Sequence, residues 1–195
     1  IYVLDKIPDY EPHKETSLGS KAKKLNREIN DYIYDILLEE DGNSLLYYPI
    51  GNYLDYSLEA SLEMISSDHT LLGLGDGGAH CATICDASFT THMLTFWGRD
   101  RTRGKKLDLP WIIKSYTRDN ALAIGLEDRG LIKEGMKADI NIIDFNNLTL
   151  YSPEIRYDLP AGGKRLVQRV DGYKYTIVSG KVTYVDGVST GELPG

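Results

Sequence analysis

The sequence predicts an α/β fold in which two buried strands, each handing on to a helix, give way to a small antiparallel β region. Three observations predict it. Short apolar runs at 45–50 and 70–75 flank a helix-patterned segment, the order of a βαβ unit with a right-handed crossover. The second run leads into Gly73-Leu74-Gly75-Asp76-Gly77-Gly78-Ala79-His80, where glycines let the backbone turn sharply and admit a ligand. From Leu126 onward, β-prone runs alternate with turn pairs such as Glu134-Gly135 and Asp186-Gly187. This reading divides the chain into an α/β portion, 1–125, and a β-rich portion, 126–195.

Residues 1–15, with Pro8 and Pro12, read as a loop after a short strand at Tyr2-Val3-Leu4. Thr16 or Ser17 caps a helix running to about Leu25, and Asn26 breaks it. Ile29, Ile33, Ile36 and Leu37 share one face of a second helix, with Gly42 as its C-terminal cap. After the strand at 45–50, Asn52 and Tyr53 lie in a loop. Asp55 or Ser57 then caps a helix whose stripe is Leu58, Leu62 and Ile65. The strand at 70–75 follows. Asp86 or Ser88 starts a helix whose Phe89, Met93, Phe96 and Trp97 are read as core. Arg99 to Lys106 is a basic loop. Asp108 caps a helix with Pro110 in its first turn, and Thr117-Arg118-Asp119-Asn120 punctuates it before a last turn closed by Gly125. Further on, 139–145, 173–178 and 181–185 are strands, the last two joined by the hairpin turn Ser179-Gly180.

Bulk composition narrows the partners. A net charge of −7 with few basic clusters argues against nucleic acid, because phosphate binding needs a basic surface. No apolar run approaches the roughly 20 residues of a membrane span, and no signal peptide is visible, so the expectation is a cytoplasmic protein. Cys81 and Cys85 read as a reduced pair.

Asp76 is the first candidate for chemistry, because α/β barrels keep catalytic side chains at the C-terminal ends of parallel strands. His80, four residues on, either lines the mouth of a site or bonds the loop backbone. Arg99, with Arg101 and Arg103, can clamp a carboxylate; the competing reading is a solvated loop. Asn52, just past the first strand, can reach substrate or merely turn the chain. Ser88 reads as a helix cap, since no histidine–acid pair stands ready to activate it. Asp76, His80, Cys81 and Cys85 offer soft metal donors but lack separated ligand pairs.

Thr117-Arg118-Asp119-Asn120-Ala121-Leu122-Ala123-Ile124-Gly125-Leu126, Asp128-Arg129-Gly130-Leu131-Ile132 and Glu134-Gly135-Met136-Lys137-Ala138-Asp139 follow one another before an apolar strand. This order resembles the C-terminal signature of the amidohydrolase superfamily, and Ile177-Val178-Ser179-Gly180-Lys181-Val182 is similar to its closing β segment. The Gly73–His80 motif, with Ile84-Cys85-Asp86-Ala87-Ser88 and Asp158-Leu159-Pro160-Ala161-Gly162-Gly163, resembles the D-aminoacylase, or N-acyl-D-amino-acid deacylase, branch. The resemblance implies a (β/α)8 TIM barrel with a divalent metal, usually zinc, at its mouth, plus a small β-sandwich. It implies that Asp76 binds the metal and acts on the metal-bound water. The family's His-x-His pair is absent, since no two of His13, His69, His80 and His92 are spaced by one. The expectation is therefore the C-terminal portion of a longer enzyme, carrying the last two β/α units and inactive alone. The implied activity is hydrolysis of a non-peptide C–N bond in a small N-acyl-D-amino acid. Two alternatives stand beside it: a cyclic amide or imide hydrolase of the hydantoinase or dihydropyrimidinase kind, and a non-catalytic interaction module. Exposed apolar edges lead us to expect a homo-oligomer.

Overall fold

The computed structural model describes residues 1–73, 75 and 80–195. It is a mixed α/β chain that divides into two units, Ile1–Asp68 and His69–Gly195.

In the first unit, β1 (Tyr2–Val3) pairs antiparallel with β2 (Leu46–Tyr47). Helix α1 (Leu18–Lys24) starts where Ser17 Oγ accepts the Ser20 N–H, and it ends at Asn26, which takes the left-handed conformation. Helix α2 (Ile29–Gly42) is capped by the Glu28 carboxylate, which accepts the N–H groups of Asn30 and Asp31. Its regular course stops before the expected Gly42: Glu39 is extended, and Glu40 and Asp41 have positive φ. Three exposed acidic residues there repel one another and sit at the negative end of the helix dipole, with no apolar face to hold them in register. Helix α3 (Glu59–Ile65) begins at Leu58, whose N–H donates 2.8 Å to Oε1 of the buried Glu11, so a distant carboxylate replaces the expected local Asp55 cap. Ser57 contributes by accepting the Glu59 N–H. Tyr2, Leu18, Ala22, Ile36 and Tyr53 are the buried apolar residues of this unit.

The two parallel strands of the sequence reading are corrected here. The first shrinks to Leu46–Tyr47 and pairs antiparallel. Residues 70–73 and 75 lie in no strand, while Leu74 and Asp76 fall outside the described residues. A strand persists only where a neighbour completes its ladder. Here the Leu72 carbonyl accepts instead from the Asn120 side-chain amide at 2.5 Å. Among the described residues every strand pair is antiparallel.

In the second unit, α4 (Phe89–His92) widens into a π-helical segment, Met93–Asp100. Helix α5 (Leu109–Lys114), capped by Asp108, runs through a π-helical segment, Ser115–Asp119, into α6 (Asn120–Ala123). The expected break at 117–120 does not occur. Thr117 turns its hydroxyl back onto the Ile113 carbonyl at 2.6 Å, and the wider turn absorbs the polar residues without ending the helix. Met93, Leu94, Trp97, Ile112, Ala121, Leu148 and Leu150 are buried, so Met93 and Trp97 of the expected stripe are core, while its Phe89 and Phe96 are half-buried.

Four strands form one antiparallel sheet in the order β3 (Ile140–Ile143), β6 (Tyr173–Val178), β7 (Lys181–Val185) and β8 (Val188–Ser189). Ser179 and Gly180 both have positive φ, the hairpin geometry that matches strand twist. A separate hairpin, β4 (Thr149–Leu159) and β5 (Gly163–Asp171), was not legible in the sequence.

The signature residues act as a clasp. Arg118 Nη1 donates to the carbonyls of Glu127 and Arg129, both at 3.0 Å. Gly130 passes so close that an added Cβ would lie 2.6 Å from Arg118 Cα. Asp139 accepts the Ser179 N–H at 2.8 Å, and the Gly180 N–H donates to the Ala138 carbonyl, joining this loop to the β6–β7 turn.

Candidate active site

Asp76 lies outside the described residues, but its predecessor is placed. A Cβ on Gly75 would stand 2.7 Å from both the Asp86 carbonyl oxygen and the Phe89 ring, so only glycine fits. Gly75 thus lies against the start of α4.

Residues 80–88 are organised largely by backbone acceptors. His80 is exposed with φ +54°, and its carbonyl accepts the N–H groups of Thr83 and Ile84 at 2.8 and 2.9 Å. The Cys81 carbonyl accepts the Leu166 N–H at 2.7 Å, which fastens the loop to β5. Ser88 donates its hydroxyl proton to Gln168 Oε1, and Gln168 Nε2 donates to the Tyr151 carbonyl at 2.6 Å. Ser88 is therefore held by β5 and makes no side-chain cap.

Between this loop and β5 lies a cleft of about 340 Å³. Its lining includes Cys81, Cys85, Asp86, Ser88 and Gln168. Both cysteines are free thiols, and burial, then the neighbouring Asp86, pushes the Cys85 thiol up from its ordinary range. At neutral pH it is a small apolar group rather than a thiolate. Arg165, also in the lining, is held in a two-point ion pair by Asp158 at 2.7 and 2.8 Å.

Behind α4, the His92 ring stacks on Phe96 at 4.9 Å, and burial pushes its pKa down to about 4. It is neutral at pH 7.

Two arginines of the basic segment are held inside the chain, while Thr102 and Gly104 to Lys106 form an exposed loop. Arg99 donates through Nε and Nη2 to Asp100, through Nη1 to the carbonyls of Phe145 and Asn146, and through Nη2 to the Leu148 carbonyl. That spends all five guanidinium N–H groups inside the chain. Arg101 is 1% exposed, lies 4.7 Å over the Trp97 ring and donates to the Lys105 carbonyl. A tryptophan four residues earlier was the available signal for this burial.

The sequence candidates thus separate. His80 and Arg99 belong to the unit His69–Gly195, while Asn52, exposed with φ +57°, belongs to the unit Ile1–Asp68. Beside Asn52, Tyr53 is buried and donates its hydroxyl to the Pro12 carbonyl. Among the described residues no three His, Cys, Asp or Glu side chains are grouped to hold a metal ion, so those residues alone do not fit a metal centre. No helix among them is long and apolar enough to cross a membrane.

The model of the amidohydrolase family matches residues 43–184. No curated protein and no solved structure matches the chain.

Proposed function

This chain belongs to the amidohydrolase family, and from that premise we propose that it serves the hydrolysis of a C–N amide bond other than a peptide bond, in N-acyl-D-amino acids. The family match over residues 43–184 is the observation that carries the reading. Asp76 is the acid–base group: its carboxylate takes a proton from the attacking water and returns it to the leaving amine. That task suits a carboxylate, and Asp76 is flanked in the sequence by glycines that leave room for a substrate. The architecture that goes with this reading in the family is a (β/α)8 barrel, whereas every strand pair among the described residues is antiparallel.

Zinc is the cofactor in this reading, with Asp76 as the one ligand assigned to this chain. The described residues supply no grouped donor set, so no step is routed through the ion. His80, exposed and a few residues past Asp76, is assigned to substrate contact. Arg99 is assigned to structure, since its donors are spent.

The test is turnover by the native protein and by Asp76→Asn and Asp76→Ala, on N-acyl-D-amino acids beside hydantoins and dihydropyrimidines. The expected result is amide hydrolysis that falls by roughly a thousandfold in both variants, with circular dichroism unchanged. Near-normal turnover in either variant overturns the assignment of Asp76. Selective turnover of the cyclic substrates replaces the deacylase reading with the imide one.

A further inference from the structure

We propose that the cleft between residues 81–91 and β5 binds the aliphatic acyl chain of the amide substrate; this rests on the amide-hydrolase reading. Three observations support it.

The first is position. Gly75, the residue before Asp76, touches Asp86, and Asp86 lines the cleft. The cleft therefore lies beside Gly75.

The second is chemistry. Several polar side chains of the wall bond within the protein, while Asp86 is exposed. Ser88 and Gln168 are spent on each other and on the Tyr151 carbonyl, and Arg165 is held by Asp158. Beside Asp86 and Thr91, the wall offers a ligand the aliphatic residues Ile84, Leu166, Val167 and Val170. Cys81 and Cys85 add two soft sulfur atoms, and the Cys85 thiol is kept neutral by burial.

The third is size. About 340 Å³ lies at the small end of ligand pockets, enough for a short unbranched chain and too little for a large ring system.

The two thiols give a readout that needs no turnover. Each methylene buried in an apolar cleft changes affinity by roughly fourfold. Alkylation of Cys81 and Cys85 by iodoacetamide at alkaline pH, where the raised Cys85 thiol also ionises, followed by peptide mass spectrometry, is measured against N-acetyl-, N-butyryl- and N-hexanoyl-D-alanine. The expected result is protection of both thiols at concentrations that fall about fourfold per added methylene. Val167→Trp, which fills the cleft, is expected to abolish the chain-length dependence.

Equal protection by the acetyl and hexanoyl compounds, or no protection by either, overturns the proposal whatever the variant does. The wild-type series therefore decides the matter even if Val167→Trp fails to fold. The two readings fail separately. Hydrolysis without chain-length-dependent protection removes the acyl cleft and leaves the hydrolase. Protection with no hydrolysis of any acyl-D-alanine keeps a chain-binding cleft and removes the hydrolase.

Discussion

Arg99 shows how a single side chain can carry several backbone groups at once. Its planar fork meets the carbonyls of Phe145, Asn146 and Leu148 while Asp100 holds its other edge. Truncation leaves those carbonyls without their charged donor, so Arg99→Ala is expected to destabilise the protein by about 2–3 kcal/mol in urea unfolding. Arg99→Lys is expected to recover less than half of that loss, because an ammonium cannot reproduce the fork. An Arg99→Ala protein with an unchanged urea midpoint would show that these bonds contribute nothing net. His92 belongs to the same scale. Burial lowers its pKa from 6.5 to about 4, so the unfolded chain binds a proton between those values that the folded chain refuses. Stability is complete above about pH 6.5 and is lost as pH falls towards 4, by on the order of 3 kcal/mol. Denaturant titrations at pH 7.5 and 4.5 check this. His92→Leu is expected to flatten the dependence in that window, while a wild-type protein of constant stability across it would count against the buried neutral ring.

At the scale of elements, local caps and distant ones divide the work. Ser17 caps α1 from the adjacent residue, and Ser17→Ala is expected to cost about 1 kcal/mol in thermal or urea unfolding. Glu11 caps α3 from 47 positions away, a device the spacing around Asp55 and Ser57 gave no hint of. The clasp between α5–α6 and the β6–β7 turn depends on Gly130, which has φ +81° and its neighbour Arg118 at van der Waals limit. Gly130→Ala is expected to cost roughly 2–4 kcal/mol, through strain and through displacement of the Arg118 backbone, with a lower melting temperature as the readout. The π-helical segment Ser115–Asp119 explains why polar residues at 117–120 do not end a helix: a wider turn accepts an extra residue and lets the helix continue.

For the molecule as a whole, acid sensitivity has two stages. Asp128, Asp139, Asp144, Glu154 and Asp158 are all held below the usual carboxylate range, each chiefly by a hydrogen bond: with Arg129, the Ser179 backbone, Asn147, Arg169 and Arg165 respectively. Their contributions are present at neutral pH and are lost only as pH falls through those depressed values, below the window in which His92 titrates. Much of the molecule was legible before any coordinates. The helix starts at Ser17 and Asp108, the core residues Met93 and Trp97, the Ser179-Gly180 hairpin and the family signature all depend on neighbours within a few residues, so the linear order reveals them. The β4–β5 hairpin escaped because Pro153, a broad Pro160–Gly162 turn and mixed polar residues blur its alternation. The strands expected at 45–50 and 70–75 failed for a different reason. An apolar run states that a segment is to be buried, but a strand also needs a neighbour to complete its hydrogen bonds, and that is settled by the rest of the structure. What the sequence by itself determined is the membership of the family and the residue types available for chemistry. What only the tertiary structure decided is which polar groups are already spent, as in Arg99 and Ser88, and which surfaces are left for a ligand. Hydrogen-bond donors and acceptors are exhausted by contacts across dozens of residues, and no local pattern records them.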